Sequence, residues 1–211
     1  MSERPHPGLF VTIEGGDGSG KSTQAALLEQ WLTDEGYTVL RTREPGGTEV
    51  GLLLREIVLH HRGDIPPRAE ALLYAADRAQ HVATLVRPAL QRGDIVLQDR
   101  YIDSSVAYQG AGRTLGGEEI RALSDWATDG LAPDVTLLLD LDEETARARM
   151  GATERRFDRL EAEKQDFHRR VRGAFLAIAD NEPERVAVID AAEPVELVAE
   201  TIAARIRPLL P

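Results

Sequence analysis

The sequence predicts an α/β fold in which a parallel sheet is covered by helices on both faces. Three observations lead there: short apolar runs alternate with amphipathic helical patterns, polar residues gather just after the apolar runs, and the first run feeds a glycine-rich octapeptide that opens a helix. At 211 residues the chain can bury one sizeable core, so 1–211 reads as a single domain with a small mobile insertion.

The first strand is expected at 9–14, where Leu9-Phe10-Val11-Thr12-Ile13 forms a buried run. Gly15-Gly16-Asp17-Gly18-Ser19-Gly20-Lys21-Ser22 follows it and satisfies the phosphate-binding pattern G-x-x-x-x-G-K-[ST]. In such a loop the glycine backbone turns its N–H groups onto a phosphate, Lys21 reaches the β and γ oxygens, and Ser22 offers a hydroxyl to Mg²⁺. The helix expected over 21–35, beginning with Ser22 and Thr23, presents its positive N-terminal end to the anion.

A second strand over 37–42 leads into Arg43-Glu44-Pro45-Gly46-Gly47-Thr48, too rich in Pro and Gly for regular structure, and then into a helix over 48–60 that carries Arg55. This loop either wraps a second ligand or is simply a turn. On the long helix expected over 67–92, Tyr74 and Arg78 share one face. The ring could stack on a planar base whose carbonyl edge meets the guanidinium; alternatively Tyr74 fills the core and Arg78 is solvated, which the segment taken alone favours.

The third strand, 95–98, ends at Asp99-Arg100-Tyr101. Asp99 could orient Mg²⁺ through water while Arg100 grips a phosphate with both nitrogens; the plainer alternative is a helix cap and an ion pair. The fourth strand, 134–140, is apolar enough to be central, and its terminal Asp140 resembles a Walker-B acid that competes with Asp99 for the metal. Asp99 ranks higher because Arg100 and the polar helix start at Ser104-Ser105 build a site around it. Helices over 117–129, 143–149, 159–180 and 194–207 and a fifth strand over 186–190 complete the pattern. Between them, Arg147, Arg149, Arg155, Arg156 and Arg159 form either a mobile lid at about 149–158 or a solvated charged face.

Composition narrows the partners. With 25 basic against 36 acidic residues and a formal charge of −11, broad attraction to nucleic acid or to anionic membrane is disfavoured, so anionic substrates must be held by local arginines. The chain has no cysteine, which excludes disulfides and thiolate metal sites, and its histidines show no metal-ligand spacing. No segment resembles a signal peptide or approaches the length of a membrane span, so a soluble cytoplasmic protein is expected.

Taken together, Ile13-Glu14-Gly15 through Thr23, Thr42-Arg-Glu-Pro-Gly-Gly-Thr48, Tyr74 to Arg78 and Asp99-Arg-Tyr-Ile-Asp-Ser-Ser-Val-Ala-Tyr-Gln-Gly110 strongly resemble the bacterial thymidylate kinases, in the right order over almost the entire chain. The resemblance implies phosphorylation of dTMP to dTDP with ATP and Mg²⁺, a P-loop-type fold with a five-stranded parallel core and a lid, and usually a homodimer. It reverses the preference at Tyr74 and Arg78, which match a thymine-stacking aromatic and a base-reading arginine. By the same matching, Glu44 belongs to the substrate loop, Ser105 and Gln109 contact the thymine edge, Tyr108 packs the deoxyribose, Arg55 and Arg100 hold the dTMP phosphate, and Asp17 lies near the reacting phosphate. Family members from yeast and animals carry an arginine at the position of Gly18. Its absence here assigns the charge that stabilises the transition state to the lid, to Arg149, Arg155 or Arg156. A kinase for another nucleoside monophosphate or a deoxynucleoside is the alternative within this class. Outside it stands a P-loop ATPase or switch without an acceptor, motivated by Asp140, although the guanine-reading N-K-x-D motif is missing.

Overall fold

The computed structural model describes residues 6–151 and 158–211. Five strands, β1 Leu9–Glu14, β2 Val39–Arg43, β3 Ile95–Asp99, β4 Val135–Asp140 and β5 Val186–Asp190, form one parallel sheet in the order β2-β3-β1-β4-β5. The first strand is therefore central, and its loop leaves the sheet between β3 and β4, where the strand order reverses. In open parallel sheets this is where ligands bind.

Alternation along β1 sets the two layers. Leu9, Val11 and Ile13 face helix α1 (Lys21–Asp34) and helix α9 (Val195–Ile206), packing with Leu28, Leu32, Val198 and Ile202. Phe10 faces the other way, toward α3 (Pro67–His81), which continues through Val82–Val86 into α4 (Arg87–Arg92), and packs with Val82, Val86 and Leu90. Thr12 and Glu14 share that second face. Thr12 meets its register partner Thr136 through a 2.7 Å hydroxyl–hydroxyl hydrogen bond. The face thus runs from apolar to polar toward the carboxyl ends of the strands.

Strand ends agree with the sequence reading to within two residues. The helices depart from it in three places. The helix expected over 67–92 is interrupted by a π-helical turn at Val82–Val86, where the Arg87 N–H bonds to Val82 O. Pro88 has no N–H to give Thr84 O in an α-register, which removes the bond that would have held the regular spiral. After β3, α5 (Ile102–Ser105) runs into a second π-helical segment, Val106–Gly112; a helix start was expected at Ser104-Ser105, two residues later than α5 begins. The helix expected over 159–180 starts later, as α8 (Gln165–Asn181), because Asp158 Oδ1 accepts the N–H groups of Leu160 and Glu161, both at 2.9 Å, and closes a separate turn. Among the described residues the remaining helices are α2 (Glu49–His60), α6 (Gly117–Thr128), α7 (Glu143–Gly151) and a 3₁₀ turn, Arg207–Leu209. Among the described residues no helix is long and apolar enough to cross a membrane.

Leu137 in β4 is fully buried, whereas Val188 in the edge strand β5 is half exposed. Leu137→Ala should cost about 3 kcal/mol of stability through lost transfer energy and a residual cavity, while Val188→Ala should cost well under about 1 kcal/mol. Urea unfolding at unchanged m-value checks both.

Candidate active site

Glycine is required in the loop after β1 for reasons of space as well as conformation. Gly15 (φ +133°) and Gly18 (φ +81°) occupy the left-handed half of the backbone map. A Cβ on Gly15 would lie 2.4 Å from Leu139 O, and one on Gly18 would lie 2.7 Å from Ala146 O in α7. Helix α7 therefore sits where any side chain at position 18 would have to go. Lys21 is buried at the start of α1, and its ammonium donates to Gly15 O at 3.1 Å and Gly16 O at 2.7 Å. Burial, with Arg100 nearby, pulls its pKa below the ordinary lysine range.

Arg100 stands at the end of β3 in a left-handed conformation (φ +67°), uncommon for a residue with a Cβ. Its backbone is held on both sides: its N–H donates to Ile13 O at 3.0 Å and its carbonyl accepts Gln98 Nε2 at 3.1 Å. Its guanidinium is then aimed into the cleft. Nη2 donates to Asp17 Oδ1 at 2.6 Å and Tyr108 Oη at 3.3 Å, while Nη1 donates to Ser104 Oγ at 3.1 Å. Tyr108 Oη donates in turn to Asp17 Oδ2 at 3.2 Å. Burial alone would raise the Asp17 pKa, but Arg100 and Lys21 hold it below the usual carboxylate range.

Glu14 lies beneath this knot. It is buried, and accepts the Tyr101 N–H at 2.7 Å, the Ser104 N–H at 3.2 Å and the Ser104 hydroxyl at 2.5 Å. Burial and the nearby Asp103 push its pKa up from 4.5 to about 7. Asp99 faces the same cleft with one buried carboxylate oxygen, Oδ1, that has no partner among the described residues.

The second half of the cleft rests on α3. Arg78 is only 2% exposed, which rules out the solvated alternative, and its donors are almost all used. Nε donates to Glu44 Oε2 at 2.8 Å, Nη1 to Ser124 Oγ at 3.1 Å, and Nη2 to Tyr101 O at 3.0 Å and Ser105 Oγ at 3.1 Å. A guanidinium has five N–H groups, so one on Nη1 is left over. The other Glu44 oxygen accepts from His81 Nδ1 at 2.9 Å, and His81 Nε2 lies 2.7 Å from Thr42 Oγ1. The Arg43–Thr48 loop is pinned further by Asp77, which accepts the Gly46 N–H at 3.1 Å, and by Arg55, whose Nη1 donates to Pro45 O at 2.8 Å. Burial and the neighbouring Glu44 push Asp77 up to about 6.

These groups enclose one cleft of about 570 Å³. Asp17, Gly18, Gly20, Lys21, Ser22 and Thr23 line one end; Glu44, Arg55, Tyr74, Arg78, Ser105, Tyr108 and Gln109 line the other, with Asp99 and Arg100 between. Arg149, near the end of α7, also reaches the cleft, with Nη1 donating to Ala191 O at 3.0 Å. Gly15 and Gly16 border a neighbouring cavity instead, and Ser19 is buried in the loop. Arg155, Arg156 and most of the expected lid lie outside the described residues. Asp140, the competing metal acid, has both oxygens taken by Arg172, Nε at 2.7 Å and Nη2 at 2.8 Å, and stands apart from the cleft lining.

Sequence reasoning missed the carboxylates that hold the arginines and loops in place: Glu14, Glu70, Asp77 and Glu44's further role, together with His81. A signal existed. Glu70, Asp77 and His81 recur at helical spacing beside Tyr74 and Arg78, giving α3 a buried polar face.

A family model described as thymidylate kinase matches residues 13–202. The chain is similar to the thymidylate kinase of Leifsonia xyli subsp. xyli, 68% identical over 200 residues that cover 95% of either chain. It is also similar to that of Bifidobacterium longum subsp. infantis, 53% identical over 207 residues covering 96% of this chain and 88% of the relative. The crystal structure of thymidylate kinase from Ehrlichia chaffeensis superposes with a TM-score of 0.77 at 31% identity, over 94% of this chain and 98% of that one. With agreement of this extent along the chain and in three dimensions, the protein belongs to the thymidylate kinase family.

Proposed function

We propose that the enzyme transfers the γ-phosphoryl group of ATP to a phosphate oxygen of dTMP, yielding ADP and dTDP. The observation that carries this reading is the two-ended cleft. A phosphate-binding glycine loop and a base-sized pocket bounded by Tyr74 and Arg78 open onto each other, with the Arg100 guanidinium between them. An ATPase or switch without an acceptor has no need of the second end.

ATP binds with its phosphates on the loop, and Lys21 exchanges its two loop carbonyls for phosphate oxygens. Thymine stacks on Tyr74 and presents its edge to Arg78, Ser105 and Gln109, while Tyr108 packs against the deoxyribose. Arg55 and Arg100 hold the dTMP phosphate, with Asp17 fixing the Arg100 fork. Because the acceptor is already ionised, no strong general base is needed, and the rate comes from alignment and charge neutralisation. Lys21, Arg100 and an arginine of the 149–158 stretch, with Arg149 already at the cleft, supply that charge. The unpartnered Asp99 Oδ1 and the Ser22 hydroxyl fit a hydrated Mg²⁺, which would neutralise the β and γ phosphates. Among the described residues no group of three or more His, Asp or Glu could enclose a metal alone, so its other ligands would be water and phosphate.

We also propose a homodimer. Leu52, Leu53 and Ile57 on α2, Leu72 on α3 and Trp126 on α6 are exposed, Leu53 at 69% and Trp126 at 82%, and α3 packs against both α2 and α6. So many large apolar side chains on adjoining helices support a covering partner.

In a coupled assay, dTMP should be phosphorylated far faster than dCMP or thymidine, and Lys21→Ala should lower turnover by at least about a thousandfold with the circular dichroism spectrum kept. Equal rates across acceptors, or near-normal turnover of the variant, would overturn the reading. Light scattering on the eluted protein should give twice the chain mass, and Leu53→Arg should return it to the monomer.

A further inference from the structure

Gln109 enters the cleft from the π-helical segment, and which end of its amide faces a bound base decides what that base must be. Its Nε2 donates to Glu70 Oε1 at 2.8 Å. Glu70 is fully buried in α3 and also accepts from Arg113 Nε at 3.3 Å and from Arg159 Nη2. Each of its two oxygens already takes a guanidinium N–H, Oε1 from Arg113 and Oε2 from Arg159, so both serve here as acceptors. The amide nitrogen of Gln109 must therefore turn to Glu70. Its oxygen is left without a donor among the described residues, on a side chain that lines the cleft.

We infer that Glu70 is a positioning residue for base selectivity: it locks the Gln109 amide with its oxygen toward the base, so that the site takes a pyrimidine whose ring nitrogen carries a proton. Arg78 completes the pattern. It lines the same cleft with one Nη1 N–H uncommitted, and that donor together with the Gln109 acceptor would match an imide edge, a ring N–H next to a carbonyl. Cytosine presents the opposite order, a bare ring nitrogen and an amino group, and would leave the amide oxygen and the arginine N–H both facing like partners.

The lock is built from distant parts of the chain. Arg113 follows the π-helical segment and bonds through Nη1 to Glu163 at 2.5 Å. Arg159 donates from Nε to Val58 O at 2.9 Å and from its backbone N–H to Leu59 O at 3.2 Å, tying the turn after residue 158 to the end of α2. Glu70 thus gathers α2, α3, the π-helical segment and this turn around the one amide.

This inference rests on the reading of Gln109 as a base contact, and its test separates the two. Steady-state kinetics are measured with dTMP and with 5-methyl-dCMP, which keeps the thymine shape and methyl group and changes only the edge. Glu70→Gln can itself donate or accept, so it releases the amide to flip. The variant should raise KM for dTMP about tenfold, cut the preference for dTMP over 5-methyl-dCMP at least about tenfold, and leave kcat for dTMP and KM for ATP within about threefold. A merely structural role would instead lower kcat for both acceptors and leave their ratio untouched, and that outcome overturns the inference. Gln109→Ala is the control: unchanged KM for dTMP there would refute the base contact itself, whereas a raised KM with an unaltered ratio in Glu70→Gln would refute only Glu70's part. Should Glu70→Gln not fold, the wild-type enzyme with ¹⁵N-labelled glutamine decides. The Gln109 side-chain amide protons must stay protected from exchange both free and with saturating dTMP, and loss of protection on binding overturns the lock.

Discussion

The site depends on one constraint, the left-handed backbone at Arg100. Without that turn the side chain leaving the end of β3 would continue along the strand and could not reach back to Asp17 in the neighbouring loop. A positive φ on a residue with a Cβ costs of order 1 kcal/mol or more, so it persists only where its surroundings over-determine it. Here they do: Ile13 O takes the amide, Gln98 takes the carbonyl, and Glu14 holds the two residues that follow in space, Tyr101 and Ser104. The central strand thereby positions both the phosphate loop that follows it and the arginine that closes on that loop. Both ends of the cleft are referred to the same β1–β3 pair.

A second theme is the pairing of several arginines in and around the cleft with carboxylates. Arg100 sits on Asp17, Arg78 on Glu44, and Arg113 and Arg159 on Glu70. Such pairs add little net stability, because desolvation offsets much of their attraction. Their effect lies in geometry. A guanidinium fixed at one nitrogen has its remaining donors aimed before the ligand arrives, so little reorganisation is left for the moment of reaction. The net charge of −11 is not carried by the cleft, whose lining sets six cations, Lys21, Arg43, Arg55, Arg78, Arg100 and Arg149, against five carboxylates, Asp17, Glu44, Asp99, Asp158 and Glu161.

The packing of α7 over the loop links the local sequence to which side chains reach the cleft. A side chain at Gly18 would collide with Ala146 O, so a loop arginine and this placement of α7 exclude each other. The helix that takes the space carries Arg149 to the cleft. The conflict at this one glycine leaves the space to the segment after β4 rather than to a loop side chain.

The strands, their parallel arrangement and the phosphate loop were legible in the sequence, because apolar runs of strand length and a contiguous glycine motif are local patterns set by backbone sterics and burial. The resemblance of the Glu44–Thr48, Tyr74–Arg78 and Asp99–Gln109 segments to a known family extended that reading to residues that line the rest of the cleft. Of the two π-helical segments the first had a signal in Pro88, which was passed over within the helical pattern, while the second, Val106–Gly112, has no local mark of that kind. The partners of the arginines were not legible either. Glu14 meets Ser104, Glu44 meets Arg78 and Glu70 meets Gln109 across separations of 90, 34 and 39 residues. By itself the sequence determined which groups the chain possesses and which elements carry them. Tertiary structure alone decided which carboxylate faces which guanidinium or amide, because a buried polar group is satisfied by whatever the packing brings to it, and no local pattern specifies that neighbour.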